Sequence, residues 1–301
     1  MRIIILGSAA GLPTPERNLS AVLMEVDGEQ LLFDCGEGTQ RQMIKARLSP
    51  CRRMKIFITH LHGDHLFGLP GLIQTMNLMN RSYPLEVYGP PGLKEFLNET
   101  TLSTMSEPVF DLSLHEASEG EVCRTRSYRV MGAWGDHSTP NMAYKVIFGE
   151  SAGKFSAKKA AKLGIPEGPL RSELKAGRPV MLGDGRKVYP AEVLGKPLKG
   201  RSVVYTGDTK PTSGIIRLAE GSDLLIHEAT FSSELAERAA EEGHSTAEGA
   251  ARVAKEANVK RLLLTHLSAR YPDPKVLEEE AKKIFNDVEV TEDFKVYELK
   301  K

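Results

Sequence analysis

Short apolar runs closed by glycine or by charged residues alternate with segments of helical periodicity along most of the chain. Arg2 to Leu6, Ala21 to Val26 and Gln30 to Phe33 predict strands, the last two joined as a hairpin by the turn Asp27-Gly28. Between the first two strands lies GSAAGLPTPERN, too polar to be core. Asp34 to Gly38, DCGEG, leads into a helix predicted over Thr39 to Leu48 with Met43, Ile44 and Leu48 on one face. Lys55 to Thr59 reads as a buried strand, being short, β-rich and followed by Gly63. A helix over Leu69 to Met79, a strand over Leu85 to Tyr88 and a helix over Gly92 to Ser103 come next, then strands at Val109 to Leu114, Val122 to Trp134 and Met142 to Phe148. The pattern breaks at Ser151 and resumes after Arg201. Strands at Val203 to Tyr205, Asp223 to His227 and Arg261 to Thr265 are then separated by helices near Thr212 to Glu220, Ser232 to Glu241 and Thr246 to Asn258, with a final helix and short strand.

One echo organises these elements. Thr59-His60-Leu61 and Thr265-His266-Leu267 follow two different strands at the same structural point. Two similar β-then-α halves are expected, packed as a four-layer αββα domain of the α/β class with strand ends from both halves meeting at one edge. A length of 301 residues with 41% hydrophobic content suits one such domain, 1–301, carrying an insertion at 151–201.

Composition narrows the setting. The apolar run Ile3 to Leu6 is too short for a signal peptide, and no stretch approaches the roughly 18 apolar residues of a spanning helix, so a soluble, cytoplasmic protein without membrane contact is expected. Cys35, Cys51 and Cys123 are odd in number and widely spaced, which indicates neither a disulfide framework nor a thiolate metal site. Forty basic and forty acidic residues cancel, which argues against indiscriminate nucleic-acid binding while leaving room for a local patch.

The densest chemistry is KIFITHLHGDHLFGLPG, Lys55 to Gly71, where His60, His62, Asp64 and His65 fall within six residues at a strand end. His60 and His62 can point to one metal, and Asp64 and His65, carried round a turn by Gly63, to a second. Nitrogen and carboxylate ligands without Cys suit zinc, with manganese or iron possible. The stretch resembles the signature of the metallo-β-lactamase fold hydrolases. Three further strand ends offer His137, Asp208 and His266. The resemblance implies that Asp208 bridges two metals, that His137 joins His60 and His62, and that His266 joins Asp64 and His65. Two cations about 3.5 to 4 Å apart generate hydroxide at neutral pH, with Asp64 expected to accept the proton. HEAT at His227 to Thr230 and HST at His244 to Thr246 supply a candidate general acid, His244, oriented by Glu228; a plain helix start before Thr246 is the structural alternative.

Together DCGEGTQ at Asp34 to Gln40, HLHGDH, GDT at Gly207 to Thr209, HEAT and HST resemble ribonuclease Z, the tRNA 3′-processing endonucleases. That resemblance implies a homodimer with two Zn2+ per subunit, Mn2+ being possible, acting on precursor tRNA to leave a tRNA 3′-hydroxyl and a trailer 5′-phosphate. Between Ser151 and Arg201 stand twelve Lys or Arg against four Asp or Glu. The segment includes KKAAKLGIPEGPLRSELKAG, similar to the Gly-Pro motif of the family's flexible RNA-gripping arm, and it reads as positive charge without a hydrophobic core. Lys158, Lys159, Lys162, Gly164, Gly168 and Pro169 are its expected tRNA contacts. Arg17 and Asn18 match the family's P-x-K-x-R-N loop and are expected at the substrate, but Pro15 stands where that pattern has Lys. No aromatic platform for single-stranded bases is evident. Two rivals remain: a small-molecule hydrolase of the same fold acting on a thioester, lactone, sulfate ester or phosphodiester, and a non-enzymatic RNA-binding subunit with structural metals.

Overall fold

Side chains alternate across a strand, so Ile3 and Ile5 face one side of Arg2–Gly7 and Ile4 and Leu6 the other, yet all four are buried. Burial on both faces is why the strands read as unbroken apolar runs. In the computed structural model, which describes residues 1–104, 107–150, 152–196 and 198–300, the strands form two seven-stranded sheets. The first runs, edge to edge, Val296–Glu298, Arg2–Gly7, Ala21–Val26, Glu29–Phe33, Met54–Phe57, Leu85–Gly89 and Leu112–Glu116. Its last four strands are parallel. The second runs Val288–Val290, Leu262–Thr265, Leu224–Glu228, Arg201–Tyr205, Met142–Phe148, Tyr128–Trp134 and Gly120–Arg124, its first four strands parallel.

Helices cover the outer faces. Ile4, Leu6, Leu23, Ile56 and Val87 of the first sheet pack with Leu69, Leu72 and Met76 of Gly68–Leu78 and Leu93 and Leu97 of Leu93–Thr104. On the second sheet Leu225, Leu262 and Leu264 meet the alanines of Ala247–Glu256 together with Leu277. Between the sheets lies an aromatic layer. Phe57 stacks on Phe33 and on Tyr88, each at 5.0 Å between ring centroids, and meets Tyr144 of the second sheet edge-on at 5.4 Å. The Tyr144 hydroxyl donates to the Ile58 carbonyl at 2.8 Å. The four-layer αββα arrangement therefore follows from two sheets buried on both faces.

Several element bounds differ from the sequence reading. The helix expected over Thr39 to Leu48 ends at Lys45, because Arg47 turns left-handed (φ 57°) and the Leu48 amide closes onto the Met43 carbonyl. Met43 and Leu48 thus face the core while Ile44 is 63% exposed. The single strand expected over Val122 to Trp134 is a hairpin, Gly120–Arg124 and Tyr128–Trp134, closed by the Thr125 amide on the Tyr128 carbonyl. The strand expected at Val109 starts at Leu112. Two short strands close the chain, one on each sheet: Val288–Val290 joins the second and Val296–Glu298 the first. No helix among the described residues is long and apolar enough to cross a membrane, and all three cysteines are free.

Residues Ile147–Arg201 form a compact unit separate from the rest of the chain. Ser151, where the insertion was expected to begin, lies outside the described residues. The expectation of an arm without a hydrophobic core is corrected: Ala160, Ile165, Leu174, Val180, Leu182, Val188 and Val193 are buried together. They come from the helices Ala157–Lys162, Pro169–Lys175 and Pro190–Val193, from the two-stranded hairpin Val180–Met181 with Lys187–Val188, and from the turns beside them. About one apolar residue per turn is enough for this core, and the sequence spreads them too thinly to register as a pattern.

Truncating Phe57 to alanine removes the ring that three other rings contact. Phe57→Ala should destabilise the fold by roughly 3–5 kcal/mol, read as a lowered urea midpoint with an unchanged slope. A midpoint within error of the parent's would show that the aromatic layer does not hold the sheets together.

Candidate metal centre

The parallel strands of both sheets end at one edge, and the chemistry collects just beyond their carboxyl ends. Asp34 follows Glu29–Phe33, His60 follows Met54–Phe57, Asp208 follows Arg201–Tyr205, Thr230 follows Leu224–Glu228 and His266 follows Leu262–Thr265. The short helix Gly63–Leu66 adds Asp64 and His65, with His62 at its N-cap. His137 follows Tyr128–Trp134.

Three imidazoles converge on one point. His62 Nδ1 lies 3.1 Å from His60 Nε2 and 3.2 Å from His137 Nε2. Zinc nitrogens at about 2.0–2.1 Å in a tetrahedron stand about 3.3 Å apart, so this spacing fits a single cation. A second group joins Asp64 Oδ2 and the Nε2 atoms of His65 and His266, which lie 3.5 and 3.2 Å from that carboxylate oxygen. Asp208 Oδ2 sits between the groups, 3.6 Å from His60 Nε2 and 3.4 and 3.3 Å from His65 and His266 Nε2. His60, His62, His137 and Asp208 gather as one ligand group, and Asp64, His65 and His266 as another. Buried Asp208 Oδ1 and His65 Nε2 have no hydrogen-bond partner, as fits atoms reserved for a cation.

Four of the imidazoles are oriented from behind. His65 Nδ1–H donates to Asp34 Oδ2 at 2.7 Å and His137 Nδ1–H to the Gly243 carbonyl at 2.7 Å. The Thr59 hydroxyl donates to Asp34 and accepts from His60 Nδ1–H at 3.0 Å. His266 Nδ1–H donates to Thr230 Oγ1 at 2.8 Å. Every one of these contacts leaves Nε2 free to face a metal, as in carboxylate–histidine–metal relays. His266 reaches its place at φ 54°, a backbone conformation that costs a non-glycine residue about 1–3 kcal/mol. Gly207, just before Asp208, takes φ 60°, and a Cβ there would stand 2.6 Å from that of Thr59.

The electrostatics suit cation binding. Burial resists ionisation of Asp208 and Asp64, but the surrounding imidazoles hold both carboxyls below the usual range. Burial pushes the His60 pKa well down, keeping the ring a neutral ligand. Burial works the same way on His65, but Asp208 and Asp34 outweigh it and raise that pKa, and the same carboxylates favour a metal cation over the proton.

His244 Nδ1–H donates to Glu228 Oε1 at 2.9 Å and lies 4.0 Å from Asp208 Oδ2. Burial opposes its charge, but the Glu228 bond wins and pushes the pKa up to about 9. The same His244 also gathers with Asp208 and His266 as a third possible ligand group. Glu228 is fixed in turn by the Thr209 amide at 3.0 Å and the Thr230 hydroxyl at 2.7 Å.

Arg17 and Asn18, expected at the substrate, are occupied within the protein. The Arg17 guanidinium donates to Ser8 Oγ at 2.7 Å and to the Thr291 carbonyl at 2.5 Å, and the Asn18 side chain to the Glu37 carbonyl at 2.9 Å. Their loop also meets the centre through the Gly11 amide, which donates to Asp64 Oδ2 at 3.0 Å. Lys158, Lys159 and Lys162 lie at the surface of Ala157–Lys162, while Gly168 and Pro169 form a helix start, with Pro169 at the first position where its missing N–H is harmless. Gly164 follows just past the preceding helix. Asp34, Thr59, Tyr205 and Thr230 escaped the sequence reading as parts of the centre. The rule that found His137, Asp208 and His266, a polar residue closing an apolar strand, also marks Asp34.

This arrangement is that of a metal-dependent hydrolase of the metallo-β-lactamase fold with a divalent-metal centre. Residues 1–121 match the family model described as Anti-Pycsar protein Apyc1, and residues 169–267 that of the Beta-lactamase superfamily domain. Ribonuclease Z of Methanothermobacter thermautotrophicus is 46% identical over 302 residues, covering 100% of this chain and 97% of that protein. Ribonuclease Z of Bacillus licheniformis is 42% identical and covers 100% of both. The crystal structure of human tRNase Z, short form, superposes with a TM-score of 0.73 at 32% identity over 99% of each chain. The chain belongs to the ribonuclease Z family.

Asp34→Asn keeps the side chain's shape but removes the carboxylate that orients His65. Metal affinity, measured by chelator competition, should fall by roughly 10- to 100-fold. Unchanged affinity would make Asp34 a purely structural residue.

Proposed function

We propose that the protein is an endoribonuclease that removes the 3′ trailer from precursor tRNA, using two zinc ions per subunit. The cut leaves a 3′-hydroxyl on the tRNA and a 5′-phosphate on the trailer. The observation that carries this reading is the His244–Glu228 pair held against Asp208 at the edge of a seven-ligand centre, on a chain of the ribonuclease Z family. Small activated esters need no donated proton, whereas a ribose oxygen leaving phosphorus does.

When bound, two divalent cations lower the pKa of water and neutralise charge on a phosphoryl oxygen. The residues divide the remaining work. Asp64, ionised and steadied by the Gly11 amide, accepts the proton of the attacking water. His244 holds a proton at Nε2 for the departing 3′-oxygen, and Glu228 keeps its ring in place. The exposed lysines of residues 151–201 grip RNA backbone, a contact driven by counterion release and by shape. Family membership also supports a homodimer in which one subunit's arm serves the other's centre, and a cytoplasmic setting where tRNA matures.

His244→Ala should slow tRNA cleavage by roughly 10²- to 10⁴-fold while sparing an aryl phosphodiester whose leaving group needs no proton. Equal losses on both would make His244 a positioning residue. Replacing residues 151–199 with a short Gly/Ser linker should leave metal content and hydrolysis of a small phosphodiester largely unchanged, since all seven ligands lie elsewhere. Precursor tRNA binding should collapse, with the deficit shrinking as salt rises. Wild-type processing with an unchanged salt dependence would return the arm to a structural role and favour a small-molecule substrate.

A further inference from the structure

The sequence shows no obvious aromatic platform for unpaired bases, yet an exposed ring closes the helix that carries Asp64 and His65. Phe67 closes the helix Gly63–Leu66, two residues beyond His65, and is 61% exposed. An exposed aromatic side chain is normally free to rotate, but this one has a seat. A Cβ on Gly63 would stand 2.5 to 2.9 Å from the ring atoms of Phe67, so the ring lies directly over the Gly63 α-carbon. Phe96 backs it, the two rings 6.3 Å apart and 18° from parallel. Gly63 has no left-handed backbone to explain it, since its φ is not positive. Its missing side chain makes room for the ring. The glycine between His62 and Asp64 in the chain thereby seats an apolar ring against the start of the ligand-bearing helix.

We infer that Phe67 is the platform on which a nucleobase flanking the scissile phosphate stacks, an inference that rests on RNA being the substrate. Stacking accepts any base, because every base has a π face. It therefore positions the strand at the centre without demanding a sequence.

The test compares the wild type, Phe67→Ala and Phe67→Trp on intact precursor tRNA and on precursors with an abasic ribonucleotide at the position 5′ or 3′ of the cut. At one of these positions the wild type should lose roughly 5- to 150-fold in kcat/KM when the base is removed. Phe67→Ala should show that loss already on intact RNA and no further loss on the abasic RNA, while Phe67→Trp retains activity on intact RNA. Gly63→Ala, which displaces the ring, should fall between. The inference is overturned if Phe67→Ala matches the wild type on intact RNA, if its loss multiplies with base removal at both positions, or if it sheds metal and so acts through the ligand helix. Failure of the wild type to cleave intact precursor would instead remove the proposed tRNA substrate.

Discussion

One buried carboxylate ties the structure together where its chemistry happens. Asp34 accepts from the Thr59 amide at 2.7 Å and from the Tyr205 hydroxyl at 2.8 Å, and so joins the first sheet to the second at the edge where the strands end. The same group takes the Nδ1 proton of His65. A carboxyl group with no exposed surface is tolerated only when its lone pairs are met by donors, and Asp34 has them from three elements. Loss of those bonds would unseat His65 and loosen the contact between the sheets together, which is why stability and chemistry are hard to separate at this point.

Much of this was legible in the residues. The strand ends announced themselves because a doubly buried strand must be apolar and its first polar residue must be reachable from solvent or from a metal. His60, Asp208 and His266 satisfy that rule, and the repeated Thr-His-Leu marks equivalent places in the two sheets. Legibility failed where position depends on contacts distant in sequence. The polar loop around Arg17 gave no sign that its guanidinium bonds the carbonyl of Thr291 and the hydroxyl of Ser8. Ile44 fitted a helical stripe with Met43 and Leu48, but the helix ends at Lys45 and turns Thr39, Gln42 and Met43 inward, leaving Ile44 exposed. Gly63 read as a turn residue, whereas its neighbour across space is the ring of Phe67.

The arm shows how charge and folding are reconciled in a short segment. Its positive surface opposes compaction by self-repulsion. Against that, Ile165, Leu174, Leu182, Val188 and Val193 form a small apolar centre that fixes the helices bearing the lysines. Arg171 braces the turn between the first two helices by donating to the Ile165 carbonyl at 2.9 Å. A held array of cations loses less side-chain and backbone entropy on meeting a phosphate backbone than a disordered tail would.

The last strand, Val296–Glu298, pairs with Arg2–Gly7, and the Met1 amino group meets the Leu299 carbonyl at 3.0 Å. The first sheet is thus closed by the end of the chain, and His266 comes from that same late stretch. Ribosomes release the chain from its amino end, so a growing copy carries the His60 to His65 cluster long before it has the residues that complete the centre. A growing copy that stops short of His266 therefore lacks a member of the second ligand group, and the two-part centre cannot form before both sheets have been made.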